Sequence, residues 1–600
     1  MHYGQNFVRP ISLTLLGLTF VYIILRAAFV PLFSDEVSTF FRYVQTGSFQ
    51  PFLIESNANN HVLNSLLTHL SYLLFGDSPL ALRLPNLLSY LLFAVYVLKF
   101  QRFFTSPVVA VCWVMVITGS HYFISFFHLT RGYGMSMAFV LAAMYHAIHY
   151  LKKGRKDHLF ATGIFANLAA WANLSLLVPL IAIFGIVALR LIGFSMNRYT
   201  PRERFGAVSI FVVTGLLPFF YAVKLALDLK EEGALYHGTD EGFVSVIVYR
   251  LMAEFVPENW TAAASYFWPF FIIYLLGLVW ILWKKKGDSS FFIVQEIFWL
   301  TLIGTIAMHL VLDVHYPLDR AALHFFPLFV LALFFVLARL PVLLAAPIAM
   351  VPALMFFVQQ LTFFNFNRTS HWHNEHVPPV LLEHLKKWQD STGILPLISV
   401  HGLPGRSFVY SAYRDGARLN SPVFEGFPAS AADFILTYQW HVEYPDGFIT
   451  RAEYPDVKMK LLERKVHSDW VHLETHRPEE SQEGGVLAEI NVDGSQFRAL
   501  TFSFDATLQC NEYPFKAWLG LRILDSTGKE ISFYHIDLAR VKPDMAEKTA
   551  IRRRIFQDNL PEATVKAQLL FINVGGNHFS IEDSKVLIHA LPRMEAEKQD

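Results

Sequence analysis

The chain has 600 residues, of which 54% are hydrophobic and 15% aromatic, and its mean hydropathy is +0.37. That is too apolar for an ordinary water-soluble enzyme. A formal net charge of zero argues against a nucleic-acid partner. The two cysteines, Cys112 in an apolar stretch and Cys510 in the polar tail, exclude a disulfide or cysteine–zinc framework.

A bilayer-crossing helix needs roughly 20 mostly apolar residues. Stretches of that kind run over about 11–33, 80–100, 107–126, 133–151, 159–173, 175–193, 207–227, 263–283, 290–312, 321–338 and 341–364, which predicts about eleven spans. The first has no small-residue cleavage site and reads as a retained helix. The shorter stretch 62–75 carries Asn64, Ser65, Thr68 and His69. It reads as an amphipathic helix on the membrane surface, with a twelfth span as the alternative.

Lys and Arg in short loops set orientation. Lys152, Lys153, Arg155 and Lys156 follow the fourth span, Arg198, Arg202 and Arg204 the sixth, and Lys284–Lys286 the eighth. All lie on one side if the N-terminus is cytoplasmic. The opposite side then receives Asp35 and Glu36, the loop to His61, the segment 128–131, the long loop 228–262, the segment 313–320 and the whole tail. Adjacent carboxylates at a membrane boundary are costly unless water, a partner or a substrate uses them. Segment 31–37, PLFSDEV, therefore reads as part of a catalytic site facing away from the cytoplasm.

The tail divides in two. Residues 366–473 mix a helical signal at 380–388 with strand signals at 397–400, 407–410 and 434–437, a small α/β domain. After a polar linker, 474–485, short strands at 498–507, 517–524, 531–536, 565–573 and 585–589 predict a β-sandwich over 486–600, a candidate carbohydrate-binding domain. Trp470 and Trp518 are expected in cores, though exposed aromatic faces can stack on sugars. The fold class is thus a polytopic α-helical membrane protein over 1–365, followed by a soluble α/β region and a β-sandwich.

Five features occur in order: Asp35-Glu36 after the first span; Asn60-His61 opening a short helix; the run 74–86, LFGDSPLALRLPN; Thr130-Arg131-Gly132-Tyr133 opening the fourth span; and 315–320, HYPLDR. Together they resemble the membrane glycosyltransferases of the dolichyl-phosphate-mannose protein mannosyltransferase and aminoarabinose transferase type (family 39-like), which have the GT-C fold. The resemblance covers about 1–365 and leaves the tail unaccounted for. It implies a polyprenyl-phosphate-linked sugar donor. Where many relatives have His-Pro-Pro or His-Pro-Leu, this chain has His61-Val62-Leu63, a helix start made less rigid by the missing proline.

Inverting glycosyl transfer needs a base for the acceptor hydroxyl and neutralisation of the departing phosphate. Asp35 is the candidate base, with Glu36 orienting the acceptor or binding a metal. The competing role is a carboxylate pair that caps a helix or pairs with arginine. Arginine matches phosphate oxygens and stays charged. Arg131 is the first candidate for the donor phosphate, then Arg320, then Arg83, whose alternative is an anchor to Asp77. Lipid-headgroup contact competes for all three. Asn60, His61, Tyr133, His315 and Asp319 are candidate substrate-binding residues. No cofactor is required; a divalent metal, if present, would be held through Glu36. The tract His371-Trp372-His373-Asn374-Glu375-His376 resembles a metal cluster in composition but reads better as an interfacial linker. In 228–262, Glu231, Glu232, Tyr236, His237, Asp240 and Glu241 suit either acceptor binding or a solvated loop.

The expected activity is that of an integral membrane glycosyltransferase acting on an extracytoplasmic protein, lipid or polysaccharide acceptor, most simply in a bacterial cytoplasmic membrane. A lipid-linked sugar transporter would carry charges near the bilayer midplane in broken helices, whereas here they gather at one face. A non-catalytic glycan-binding membrane protein is the other alternative.

Overall fold

The computed structural model describes residues 5–53, 57–198, 200–235, 238–255, 267–369, 372–416, 418–425, 430–441, 446–465, 470–479 and 484–593. It divides into two compact units, Met1–Val30 with Arg42–His371, and Pro31–Phe41 with Trp372–Asp600.

The first unit is helical. Its helices are α1 (Gln5–Phe29), α3 (Val62–Phe75), α4 (Pro79–Gln101), α5 (Pro107–Gly119), α6 (His121–Ser125), α7 (Gly132–Lys153), α8 (Lys156–Ala172) and α9 (Leu177–Arg198). They continue as α10 (Pro201–Ile210), α11 (Leu217–Glu231), α12 (Leu251–Glu254), α13 (Phe267–Trp283), α14 (Ser289–Leu312), α15 (Phe325–Leu337) and α16 (Val342–Thr362). The short helix α2 (Ser34–Thr39) belongs to the second unit.

Among the described residues, eight helical stretches are long and apolar enough to cross a membrane, built on α1, α4, α7, α9, α10 with α11, α14, α15 and α16. Their outward apolar side chains, such as Leu343 at 90% exposure and Leu310 at 76%, suit lipid and would be a liability in water. The chain is an integral membrane protein. Among the described residues, three expected spans are shorter helices: α5 has 13 residues, and α8 and α13 have 17 each. Polar caps cut two of them short. Ser120 accepts the Phe123 N–H and starts α6 instead of prolonging α5. Asn173 accepts the Ser175 N–H at 3.1 Å just past the end of α8.

The polar side of α3 turns inward. Asn64, Ser65 and Thr68 are buried, while Leu73, Leu74 and Phe75 are 61–74% exposed. Asn64 donates to Thr130 O at 3.2 Å, and the Thr68 and Thr130 hydroxyls lie 3.2 Å apart. Fully buried Asn86 of α4 is the hub. Its amide donates to Asn64 Oδ1, Leu129 O and Arg131 O at 2.7–2.9 Å, and its oxygen accepts the Met135 N–H at 3.0 Å. Non-helical backbone is tolerated at such depth only when its polar groups are met by protein. Close packing completes the junction, since a Cβ on Gly132 would stand 1.8 Å from Ala172 O.

The second unit joins α2 to two β parts. The α/β part holds α17 (Pro379–Thr392), β1 (Ile398–His401), α18 (Pro404–Arg414), β2 (Val423–Glu425), β3 (Phe434–Tyr438), β4 (Phe448–Tyr454) and β5 (Met459–Arg464). The sheet order is β2-β1-β3-β5-β4, with β2, β1 and β3 parallel and the rest antiparallel. Segment 407–410, expected as a strand, lies in α18. Its β-prone side chains fall instead on a helical face, where Phe408 and Ala412 enter the core with Leu381 and Leu385 of α17.

The sandwich packs two antiparallel sheets. Its strands are β6 (Val471–His476), β7 (Gly485–Asn491), β8 (Phe497–Cys510), β9 (Ala517–Leu524), β10 (Glu530–Asp537), β11 (Met545–Gln557), β12 (Lys566–Asn573) and β13 (Phe579–Pro592). One sheet runs β11-β8-β13-β6 and the other β10-β9-β12-β7. β6 starts within the stretch expected to close the α/β domain. Strand β11 was hidden by charge: Ile551 and Ile555 face the core while Arg552 and Arg554 alternate with them. The α/β part and the sandwich are joined by Asn420 to Arg554 O at 2.7 Å, Tyr534 to Pro422 O at 3.0 Å and the Ala431 N–H to Asp558 at 3.0 Å. Trp470 packs against this junction, and Trp518 stacks on His535.

Replacing Asn86 by Leu leaves buried carbonyls without donors, at about 1–3 kcal/mol for each unsatisfied group. The expected result is a clear fall in melting temperature in detergent, measured beside Leu73→Ala at an exposed position of α3, which leaves the melt near that of the wild type.

Candidate active site

The two adjacent carboxylates have different surroundings. Both occupy the first turn of α2, where negative charge is favourable against the helix dipole. Glu36 is fully buried, and its carboxylate accepts the Phe33 N–H at 3.3 Å, closing the start of its own helix. Asp35 is half-buried. Even with the π-helical turn Phe40–Val44 that continues it, this helix is too short to persist alone, and residues of the second unit hold its start. Glu375 accepts the Ser34 N–H at 3.1 Å, Arg406 donates to Ser34 Oγ at 3.3 Å and Ser38 Oγ at 2.9 Å, and Ser407 donates to Leu32 O at 2.9 Å. Trp372 stacks on Phe33 with ring centroids 4.9 Å apart. Trp372 and Glu375 thus clamp α2. His371 lies outside the described residues, among which no three His, Cys, Asp or Glu side chains gather to hold a metal ion.

The other candidates lie in the first unit. Arg131 is 3% exposed and sits in extended backbone just before α7, where its guanidinium donates to Asn59 Oδ1 at 2.5 Å and lies over the Tyr133 ring at 5.9 Å. His61 meets the same ring edge-on at 4.8 Å, and its Nδ1 lies 2.9 Å from Ala172 O. Asn60 donates to Phe49 O at 3.1 Å and accepts from Ser65 at 2.9 Å. Arg131, Asn60, His61 and Tyr133 therefore form one cluster, built on the Asn86 junction.

Asp319 and Arg320 open a short helical turn before α15. Asp319 has φ +46°, a left-handed conformation that aspartate tolerates better than most residues. Tyr122 of α6 lies within electrostatic reach of Asp319, Arg320, Glu254 and Tyr133, and so links this pair to the Arg131 cluster. Phe255 packs on Tyr122 at 5.3 Å, and Tyr122 on Phe126 at 5.2 Å, next to Tyr133. Glu254 was not anticipated. Its one sequence signal is a carboxylate inside the run 251–255, LMAEF. Burial, helped by the Asp319 charge, raises it from 4.5 to about 7.

Two candidates have other contacts. Arg83 is fully buried and donates to Ala27 O at 3.2 Å and Val30 O at 2.6 Å, tying down the end of α1. His315 is exposed and pairs with Asp240 at 2.5 Å, where Gly238–Thr239 bridges antiparallel to Tyr316–Pro317. In the same loop Glu241 pairs with Arg250 at 2.5 Å; Tyr236 and His237 lie outside the described residues.

No family model matches the chain, and no curated protein matches it. Among solved structures, ArnT from Cupriavidus metallidurans bound to undecaprenyl phosphate aligns at 11% identity and a TM-score of 0.41, over 76% of this chain and 97% of that one. The apo state of the same protein aligns at 12% identity and a TM-score of 0.40, over 75% of this chain and 97% of that one.

A carboxyl whose folded value lies above its unfolded one binds its proton more tightly in the folded state. Glu254 therefore contributes stability below about 4.5 that is lost as pH rises through about 7. Melting in detergent across this window is expected to fall with pH in the wild type and to fall less steeply in Glu254→Gln; equal slopes would refute the assignment.

Proposed function

We propose that this chain is an inverting glycosyltransferase of the GT-C fold, moving a sugar from a polyprenyl-phosphate-linked donor to an extracytoplasmic acceptor. The observation that carries the reading is the division of labour in α2. Glu36 is buried and closes the helix start, while Asp35 is the half-buried carboxylate of the pair. Asp35 takes the proton of the acceptor hydroxyl. The acceptor oxygen attacks the anomeric carbon as the bond from that carbon to the phosphate oxygen breaks, and the phosphate departs with its charge met by Arg131 and Arg320. Arginine suits this task because its fork matches phosphate oxygens and it remains charged in a partly dry site.

Asn60, His61 and Tyr133, which surround Arg131, are the residues assigned to the donor sugar and leaving group. Asp319, in the same turn as Arg320, is assigned to the substrate. Glu36 positions α2, and Arg83 positions the end of α1; neither is assigned a contact with substrate. No step requires a metal ion. The Lys and Arg loops support an N-terminus in the cytoplasm and a tail outside, in a bacterial cytoplasmic membrane by our reading. Protein, lipid and polysaccharide acceptors all fit this chemistry.

The test incubates purified protein in nanodiscs with radiolabelled polyprenyl-phosphate sugars and a membrane extract as acceptor source. Wild-type protein is expected to release polyprenyl phosphate. Asp35→Asn is expected to lose a factor of about 10² or more, the typical contribution of a general base. Arg131→Lys keeps the charge but not the fork and is expected to raise the donor KM. Equal turnover by Asp35→Asn would remove the assignment.

A further inference from the structure

The α/β part of the second unit carries a feature that the transferase reading leaves unused. The chain leaves β1 through α18 to reach β2 on one side, then returns to β3 on the other, with all three strands parallel. The strand order reverses between β1 and β3, and open α/β sheets bind ligands outside the carboxyl ends of the strands at such a point. The residues at that edge are His401, which ends β1, Tyr438, which ends β3, and Trp440 and His441, in a turn closed by the His441 N–H to Tyr438 O at 3.1 Å. The Tyr438 and Trp440 rings stack at 4.4 Å and 7°, and Trp440 is 52% exposed. The His401 and His441 rings lie 4.1 Å apart. Gly402, at φ +76°, makes the approach possible: a Cβ there would stand 3.1 Å from Tyr438 Oη.

This edge is bonded to the helix that carries Asp35. Arg406 and Ser407, in the first turn of α18, bind Ser34, Ser38 and Leu32 around it. Glu375, which accepts the Ser34 N–H, is close enough to Tyr438 for its charge to act on the phenol.

The groups present suit a pyranose better than a phosphate. A stacked, exposed aromatic pair offers a flat apolar surface to the C–H face of a sugar ring. A neutral imidazole has one donor and one acceptor, the pattern a hydroxyl requires. Burial and the neighbouring His441 hold His401 below its ordinary range, so it stays neutral near pH 7. Arg406, the cation at the helix start, is engaged with Ser34 and Ser38.

We propose that this edge binds the acceptor as a glycan, with one sugar stacked on the Tyr438–Trp440 pair and hydrogen-bonded by His401 and His441, beside the helix that carries Asp35. That the glycan is the acceptor rests on the transferase reading; that it binds does not.

The experiment titrates the full chain in nanodiscs with maltohexaose, mannohexaose and chitohexaose, read by saturation-transfer NMR. At least one is expected to bind the wild type. Trp440→Ala, at an exposed position that leaves the melt unchanged, is expected to weaken it about tenfold, as loss of an aromatic stacking partner does, and Trp440→Phe to restore most of it. In the transfer assay, Trp440→Ala is expected to raise the acceptor KM more than it lowers kcat. Binding of none of the three hexasaccharides, or binding untouched by Trp440→Ala, overturns the sugar site even if Asp35→Asn abolishes transfer. Binding that depends on Trp440, together with turnover indifferent to Asp35→Asn, leaves the sugar site standing and removes the transferase reading.

Discussion

The helical unit depends on satisfying polar backbone where the surroundings are apolar. Between α6 and α7 the chain leaves helical conformation at 126–131, and Leu129 and Arg131, whose carbonyls are freed there, are buried. Asn86 reaches both from α4, while its oxygen takes the Met135 N–H of α7. Asn64 and Thr68 of α3 extend the same network to Thr130. Each unmet group of this kind would cost several kcal/mol in a hydrocarbon setting. The network also sets the backbone on which Arg131 and Tyr133 stand, so packing and chemistry share one set of hydrogen bonds.

A comparable economy holds in the second unit. A helix as short as α2, even with the π-helical turn Phe40–Val44 that follows it, has too few internal hydrogen bonds to persist alone. α2 persists because Glu36 closes its first turn and because Glu375, Arg406 and Ser407 bind its backbone and serines. Asp35 therefore sits on an element whose position is determined by residues some 340 to 370 positions later in the chain. The segment 31–41 belongs by its contacts to the C-terminal unit although it follows the first span directly. No local pattern around Asp35 announces that.

Much of the fold was legible because it rests on composition and period. Apolar runs near bilayer length became helices at each expected place, and alternation with turn residues marked five sandwich strands. The failures have specific causes. Segment 407–410 is β-prone by residue type, yet the preceding glycine and proline start a helix whose buried face those side chains fill. β11 carries three consecutive arginines, 552–554, between Ile551 and Ile555, and the buried Arg553 on the inward face blurs the apolar–polar alternation of a strand. The polar residues of α3 looked water-facing, but they bond to buried backbone. Asn86 reads as one more polar residue in a span, and Glu254 as an ordinary acid in a loop.

The sequence by itself determined that this is a polytopic membrane protein with an α/β and β-sandwich tail, since hydropathy and alternation are local properties. It also marked Asp35, Arg131 and Arg320 as residues whose charge near an apolar boundary demands an explanation. Only the tertiary structure decided what each charge does: that Glu36 closes a helix, that Arg83 ties down the end of α1, and that Tyr122 links Arg320 and Glu254 to the Arg131 cluster. These roles come from contacts between residues far apart in the chain, and such contacts depend on how helices and sheets pack rather than on any pattern within one of them.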